Sequence, residues 1–138
     1  MDPAARLAAE WQTLQAQQEQ YERSALTVKL CALVVSVAAL AVGLHEVLVG
    51  SFVALFWLQE GIFKTFQGRL CARLVRVEAL LAQPAADAGQ AMQLHTEWQA
   101  GRPGGLALVG EYLASALRPT VAFPYLPLLV IVAIAGMA

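Results

Sequence analysis

Two long stretches of mostly apolar side chains, residues 25–66 and 120–138, constrain this chain more than any other feature. Within the first, LTVKLCALVVSVAALAVGL is followed, after His45 and Glu46, by VLVGSFVALFWLQEGIF. A helix rises 1.5 Å per residue, so about 20 apolar residues cross a hydrocarbon layer of ~30 Å. The chain is 59% hydrophobic and 14% charged, whereas soluble domains average about 45–50% and about 25%. Its charges lie mostly outside the two stretches, and a charge at a bilayer centre costs at least ~2.5–3.5 kcal/mol. The pattern predicts an all-α membrane protein with three transmembrane helices and helical cytoplasmic extensions.

The first apolar run is expected to be a retained span rather than a signal peptide. Residues 1–24 are rich in Gln and Glu rather than basic, and no small-residue cleavage pattern closes the run. The expected organisation is a cytoplasmic amphipathic helix over 1–24 and a two-span hairpin over 25–66. A cytoplasmic helix, loop and interfacial helix follow over 67–118, with a third span over 119–138. The lysines and arginines flank the start of the first span, the end of the second and the start of the third. The hairpin tip has none, which predicts an N-terminus in the cytoplasm.

Asp2 and Pro3 suit a helix start. Leu7, Trp11, Leu14, Gln18 and Tyr21 then recur at heptad spacing, continued by Ala25, Val28, Ala32 and Val35. Such a seam implies one helix, running from water into lipid, that packs on a partner along one side. The alternative is an amphipathic helix lying on the bilayer surface. Ala32, Ser36, Ala39 and Gly43 form a small-residue stripe of the kind that allows close helix approach in lipid. After the second span the helix is expected to continue to about Ala82, with Leu70, Leu74, Val77 and Leu81 on one face. Residues 83–87 should end it, with a short helix around 90–99. Gly101 to Gly105 form a breaker, and Leu106, Val109, Leu113 and Leu117 then mark a short interfacial helix. Pro124 and Pro127 should kink or unwind the first half of the last span.

The net charge of −1 argues against the broad basic field that duplex nucleic acid requires. Cys31 and Cys71 lie at different expected depths, and His45 and His95 on opposite sides of the bilayer, so neither pair is expected to share a disulfide or metal. With no metalloprotease, Walker, nucleophile-elbow or dinucleotide motif, neither catalysis nor a cofactor is expected. Glu60, with Gln59 beside it, is the candidate polar membrane site. It is either an ionisable group on an ion path or half of an i, i+4 pair with Lys64. Arg69, Arg73 and Arg76 continue a basic stripe from Lys64. It either touches lipid phosphates or, repeated around a symmetry axis, forms a ring for an anionic lipid, a nucleotide or an anion path. His45 and Glu46 form either a pH-sensitive entrance or a solvated turn.

Residues 10–82 resemble the SLATT-type bacterial membrane proteins and their relatives, through Phe56, Trp57, Leu58, Glu60, Phe63, Arg69 and Leu70 and the polar lead-in at 21–29. The resemblance implies a transmembrane hairpin followed by a cytoplasmic helix, in pore-forming or membrane-perturbing effectors tied to nucleotide signalling and phage defence. The third span and its prolines depart from that two-span pattern. Three short spans leave little room for an internal pathway, so a homo-oligomeric channel is the leading expectation. A non-catalytic accessory or scaffold subunit of a larger membrane complex is the alternative.

Overall fold

In the computed structural model, which describes residues 2–83 and 88–137, the chain is all-helical. Helix α1 covers Pro3–Ala41, α2 Glu46–Leu81, α3 Leu94–Gly101, α4 Gly105–Ala116 and α5 Pro119–Met137, with a 3-10 turn at Ala88–Gln90. Three of them, α1, α2 and α5, are long and apolar enough to cross a membrane. The 39 residues of α1 and 36 of α2 extend about 58 and 54 Å. Each is therefore longer than the ~30 Å core of a bilayer. We call the two ends of the molecule the apolar half and the head.

α1 and α2 form a hairpin closed by residues 42–45. Gly43 adopts φ 74°, its N–H donates to Leu40 O at 3.0 Å, and the Leu44 N–H donates to Ala39 O at 3.0 Å. These two bonds satisfy end carbonyls that α1 cannot bond internally, and the left-handed residue between them favours glycine. Gly43 is thus a turn residue, exposed, and not a member of the packing stripe. The other three are: Ala32, Ser36 and Ala39 are buried. Ala32 packs with Val53, Tyr125 and Leu128, and Ala39 with Val49 and Val132.

In the head, Leu7 and Leu14 are buried against Leu70, Leu74, Val77 and Leu80, with Trp11 and Tyr21 at the margin. Each buried leucine or valine contributes about 1.5–3 kcal/mol over its exposed state. The N-terminal seam therefore finds its partner in the same chain. It passes through Ala25 and Ala32 as expected, but Ser36 is buried where Val35 is exposed. A straight helix drifts ~20° per heptad, which over four heptads moves the inward position by one residue.

α2 is central, with α1 against one face and α4 and α5 against another. α4 and α5 run antiparallel to it in one register. Gly136 lies against Glu46, Gly50 against Leu129 and Val132, Gly61 against Ala116 and Tyr112, and Arg69 pairs with Glu111. α4 thus stands alongside the head portion of α2. A Cβ on Gly61 would lie 2.9 Å from Ala116 Cβ and 3.0 Å from the Tyr112 carbonyl, so that crossing depends on glycine. α5 breaks at Phe123 (φ −83°, ψ 129°), just before Pro124. The expected end of α2 falls at Leu81; the rest of the anticipated breaker, residues 84–87, lies outside the described residues.

Candidate functional site

The apolar half holds one buried ion pair. Glu60, on α2, is fully buried, and Lys29 Nζ, on α1, lies 3.1 Å from its Oε1. The same ammonium donates to Thr120 O at 2.7 Å. Thr120 stands four residues before Pro124, whose nitrogen has no hydrogen to return to that carbonyl. Lys29 therefore satisfies a backbone acceptor freed by proline and neutralises Glu60 at once. The Tyr125 hydroxyl is beside the Glu60 carboxylate, although neither it nor the carboxylate oxygens has a partner in good hydrogen-bond geometry. Tyr125 stacks on Trp57 at 6.4 Å, and the Trp57 indole donates to Ala116 O at 2.8 Å, an end carbonyl of α4.

Glu60 therefore pairs with Lys29 rather than Lys64. The i, i+4 spacing offers Lys64 as the partner, but Lys64 points toward the head, 3.6 Å from Glu22, and donates to Gln67 at 2.7 Å. Gln67 in turn donates to Glu22 at 2.8 Å. Gln59 does not share the inward face with Glu60. One residue is a 100° step around a helix, and Gln59 is exposed on the outer side.

In the head the arginine stripe is answered by carboxylates from three other elements. Arg73 is buried, with Nε and Nη2 on the two oxygens of Glu10 at 2.9 and 3.0 Å. Its Nη1 reaches Glu97 at 2.6 Å and its Nη2 the Gln90 carbonyl at 2.7 Å. Glu10 Oε2 also accepts the Met92 N–H at 2.7 Å. Burial opposes the Arg73 charge, but the bonds and charges of Glu10 and Glu97 outweigh it and hold the pKa above its ordinary value. Arg76 meets Glu97 at 3.2 Å and Arg69 meets Glu111 at 3.0 Å. The stripe is thus not free to lie on lipid phosphates along its length, as an isolated helix would be.

Between α2, α3 and α4, and bordered by Gln17 and Tyr21 of α1, opens a cavity of about 920 Å³, its wall including Lys64, Arg69, Arg76, Trp98, Ser115 and Arg118. The Thr65 hydroxyl lies 2.9 Å from Ser115 Oγ and 3.0 Å from the Gly61 carbonyl, fastening α2 to α4 at its floor. Arg69 and Arg102 lie over the Trp98 ring at 5.3 and 5.5 Å. His45, in contrast, caps α2 by accepting the Val47 N–H at 3.3 Å and is exposed at the hairpin tip.

The partners missed from sequence are Glu10, Glu22, Glu97 and Glu111, together with Lys29 as the partner of Glu60. A signal for two of these pairs was present. Glu10 falls beside the Leu7–Leu14 seam and Arg73 beside the Leu70–Leu74 face, while Lys29 and Glu60 are the lone charges within the first and second apolar segments. Opposite charges marooned on facing stripes belong together, because burying either alone costs several kcal/mol.

Fold and sites together define an all-helical protein in which three membrane-length apolar helices carry a charge-paired helical head. No family model, curated protein or solved structure matches the chain.

Proposed function

We propose that this is a multi-pass protein of the bacterial inner membrane, N-terminus in the cytoplasm, that acts as a homo-oligomeric channel or pore-forming effector gated by its cytoplasmic helices. The observation that carries this reading is mechanical. α1 and α2 run unbroken from the head into the apolar half, and the Lys29–Glu60 pair bridges them at the boundary. A displacement of the head reaches Glu60 without passing a hinge. The charge bias of the sequence supports the orientation, and the resemblance to SLATT-type effectors points to the same class.

Side chains of Ala32, Val53, Tyr125 and Leu128, then Ala39, Val49 and Val132, fill the space between the three apolar helices. The pathway therefore forms between copies. Gln59 is exposed among apolar neighbours on α2, where a polar side chain in lipid favours helix association by about 1 kcal/mol. The test is purified full-length protein in detergent and liposomes. A defined oligomer, and dye or ion flux altered by Glu60→Gln, is the expected result. A monomer in detergent with no flux would sink the reading.

One observation favours a second reading, an accessory subunit of a larger membrane complex. On α4, Leu106, Val109, Leu113 and Leu117 are exposed along one face. That reading expects co-purification with unrelated subunits and loss of the protein when it is expressed alone.

A further inference from the structure

The cavity between α2, α3 and α4 contains two observations that the ion pairs leave unexplained. Arg69 Nη1 and Trp98 Nε1 are buried donors with no hydrogen-bond acceptor among the described residues, although Arg69 uses its Nη2 on Glu111. A buried donor left unmade costs about 1–3 kcal/mol. Both residues line this one cavity. Arg118 lines it as well, exposed and without a side-chain ion pair among the described residues.

The acids of the wall do not answer these groups. Glu97 is engaged by Arg73 and Arg76, and Glu111 by Arg69. Glu10 and Glu22 serve Arg73 and Lys64 from α1. What remains is an unused guanidinium edge, an indole N–H and a free arginine, three donors without an acceptor. We infer that this cavity is a receptor site for a phosphate group, held by Arg69, Trp98 and Arg118.

The chemistry of the donors selects the ligand class. A phosphate offers several acceptor oxygens to guanidinium and indole donors at once, and arginine forms its stronger hydrogen bonds with such oxyanions. Arg69 lies over both the Phe66 and Trp98 rings, at 5.7 and 5.3 Å, and Arg102 covers Trp98 as well. The aromatic faces are thus occupied by arginines, and recognition falls on the phosphate rather than on a stacked ring. The floor at Ser115 is joined to Thr65, one turn beyond Gly61, and Arg118 immediately precedes the apolar run of α5. The site lies where head and apolar half meet, within reach of a lipid headgroup as well as of a soluble phosphate. Occupancy would draw α3, α4 and α2 together through one anion. As a gating signal this rests on the proposed channel reading; as a binding site it does not.

The experiment uses the full-length protein in a maltoside detergent, which carries no phosphate. One arm titrates inorganic pyrophosphate calorimetrically; the other follows retention of phosphatidylglycerol by native mass spectrometry. Saturable binding near one per chain is expected in at least one arm. Pyrophosphate alone assigns the site to a soluble phosphate, the lipid alone to a headgroup, and both to the shared group. Arg118→Gln breaks no ion pair and should weaken binding about tenfold, the low end for a hydrogen bond to a charged group. Trp98→Phe keeps the ring, removes the N–H and should weaken it severalfold. Arg6→Gln, on the exposed surface of α1, should leave it unchanged. Absence of saturable binding in both arms overturns the inference, as does binding that ignores Arg118→Gln and Trp98→Phe. A flux result, positive or negative, leaves this outcome untouched.

Discussion

In the apolar half a single carboxylate is buried with a single ammonium, whereas in the head four cations of α2 are each met by a carboxylate from another element. The halves also differ in what they expose. Leu30, Val34, Val37, Leu55, Val130 and Ile134 face outward in the apolar half, whereas soluble monomers expose large apolar side chains only in small patches. In the head Leu7, Leu14, Leu70, Leu74 and Val77 face inward between α1 and α2, while Leu106, Val109 and Leu113 of α4 face outward. The first surface belongs to the three helices long and apolar enough to cross a membrane. The charges follow the same division. Lys29 keeps 24% of its side chain exposed and so retains a route to the boundary, whereas Arg73 keeps 2% and has none.

That difference is sharpest at Arg73. Removing one member of a buried, hydrogen-bonded pair strands the other and costs about 3–5 kcal/mol. Arg73→Ala should therefore lower the thermal stability of the head by that amount, read by circular dichroism and by proteolysis near α3. Replacing Glu10 and Arg73 together with leucine and methionine should recover most of the loss, because no charge is then left alone. If the double variant is as unstable as the single one, the pair does more than offset its own burial. pH should discriminate too. A base whose folded pKa is raised contributes stability that is fully present below its unfolded value and is lost only as pH rises through the folded one. For Arg73 that window lies beyond mildly alkaline conditions. Across mildly alkaline pH the difference in melting temperature between the wild type and Arg73→Ala should therefore stay constant, and a difference that shrinks there would contradict the placement of Arg73.

A smaller effect is expected where the two halves join. Gly61→Val places a branched side chain against Ala116 and the Tyr112 carbonyl, and overpacking of this kind costs about 1–3 kcal/mol. Because α4 would shift from α2, fluorescence of Trp57, bonded to Ala116, should change as well. An unaltered spectrum with full stability would show that α4 does not rest there. The smallest effect is Trp11→Phe. It keeps the ring in the seam and removes only the 2.9 Å bond to the exposed Glu78, worth about 1 kcal/mol.

Much of this arrangement was legible in the chain, and what escaped has a physical reason. The three apolar helices, the continuous α1, the seam through Leu7 and Leu14 and the proline break in α5 all follow from local periodicity. Local periodicity also shows two apolar stripes, one around Leu7 and Leu14 and one around Leu70 and Leu74, without showing that they meet. The choice of Lys29 over Lys64 depends on tertiary packing, since on a helical diagram only Lys64 lies within reach of Glu60. Gly43 was misread because a stripe of small residues and a helix-ending glycine look alike at the same spacing. The cavity needs α3 and α4 folded back on α2, a placement no short window of sequence contains.

The proposed division into a membrane half and a cytoplasmic head can be tested on two cysteines the protein already has. Cys31 is exposed on the apolar part of α1 and Cys71 on the head part of α2. A membrane-impermeant maleimide should label Cys71 in inside-out vesicles and not in right-side-out ones. Cys31 should resist it in both until detergent is added. Labelling of Cys31 in intact vesicles, or of Cys71 from the outside, would contradict the account.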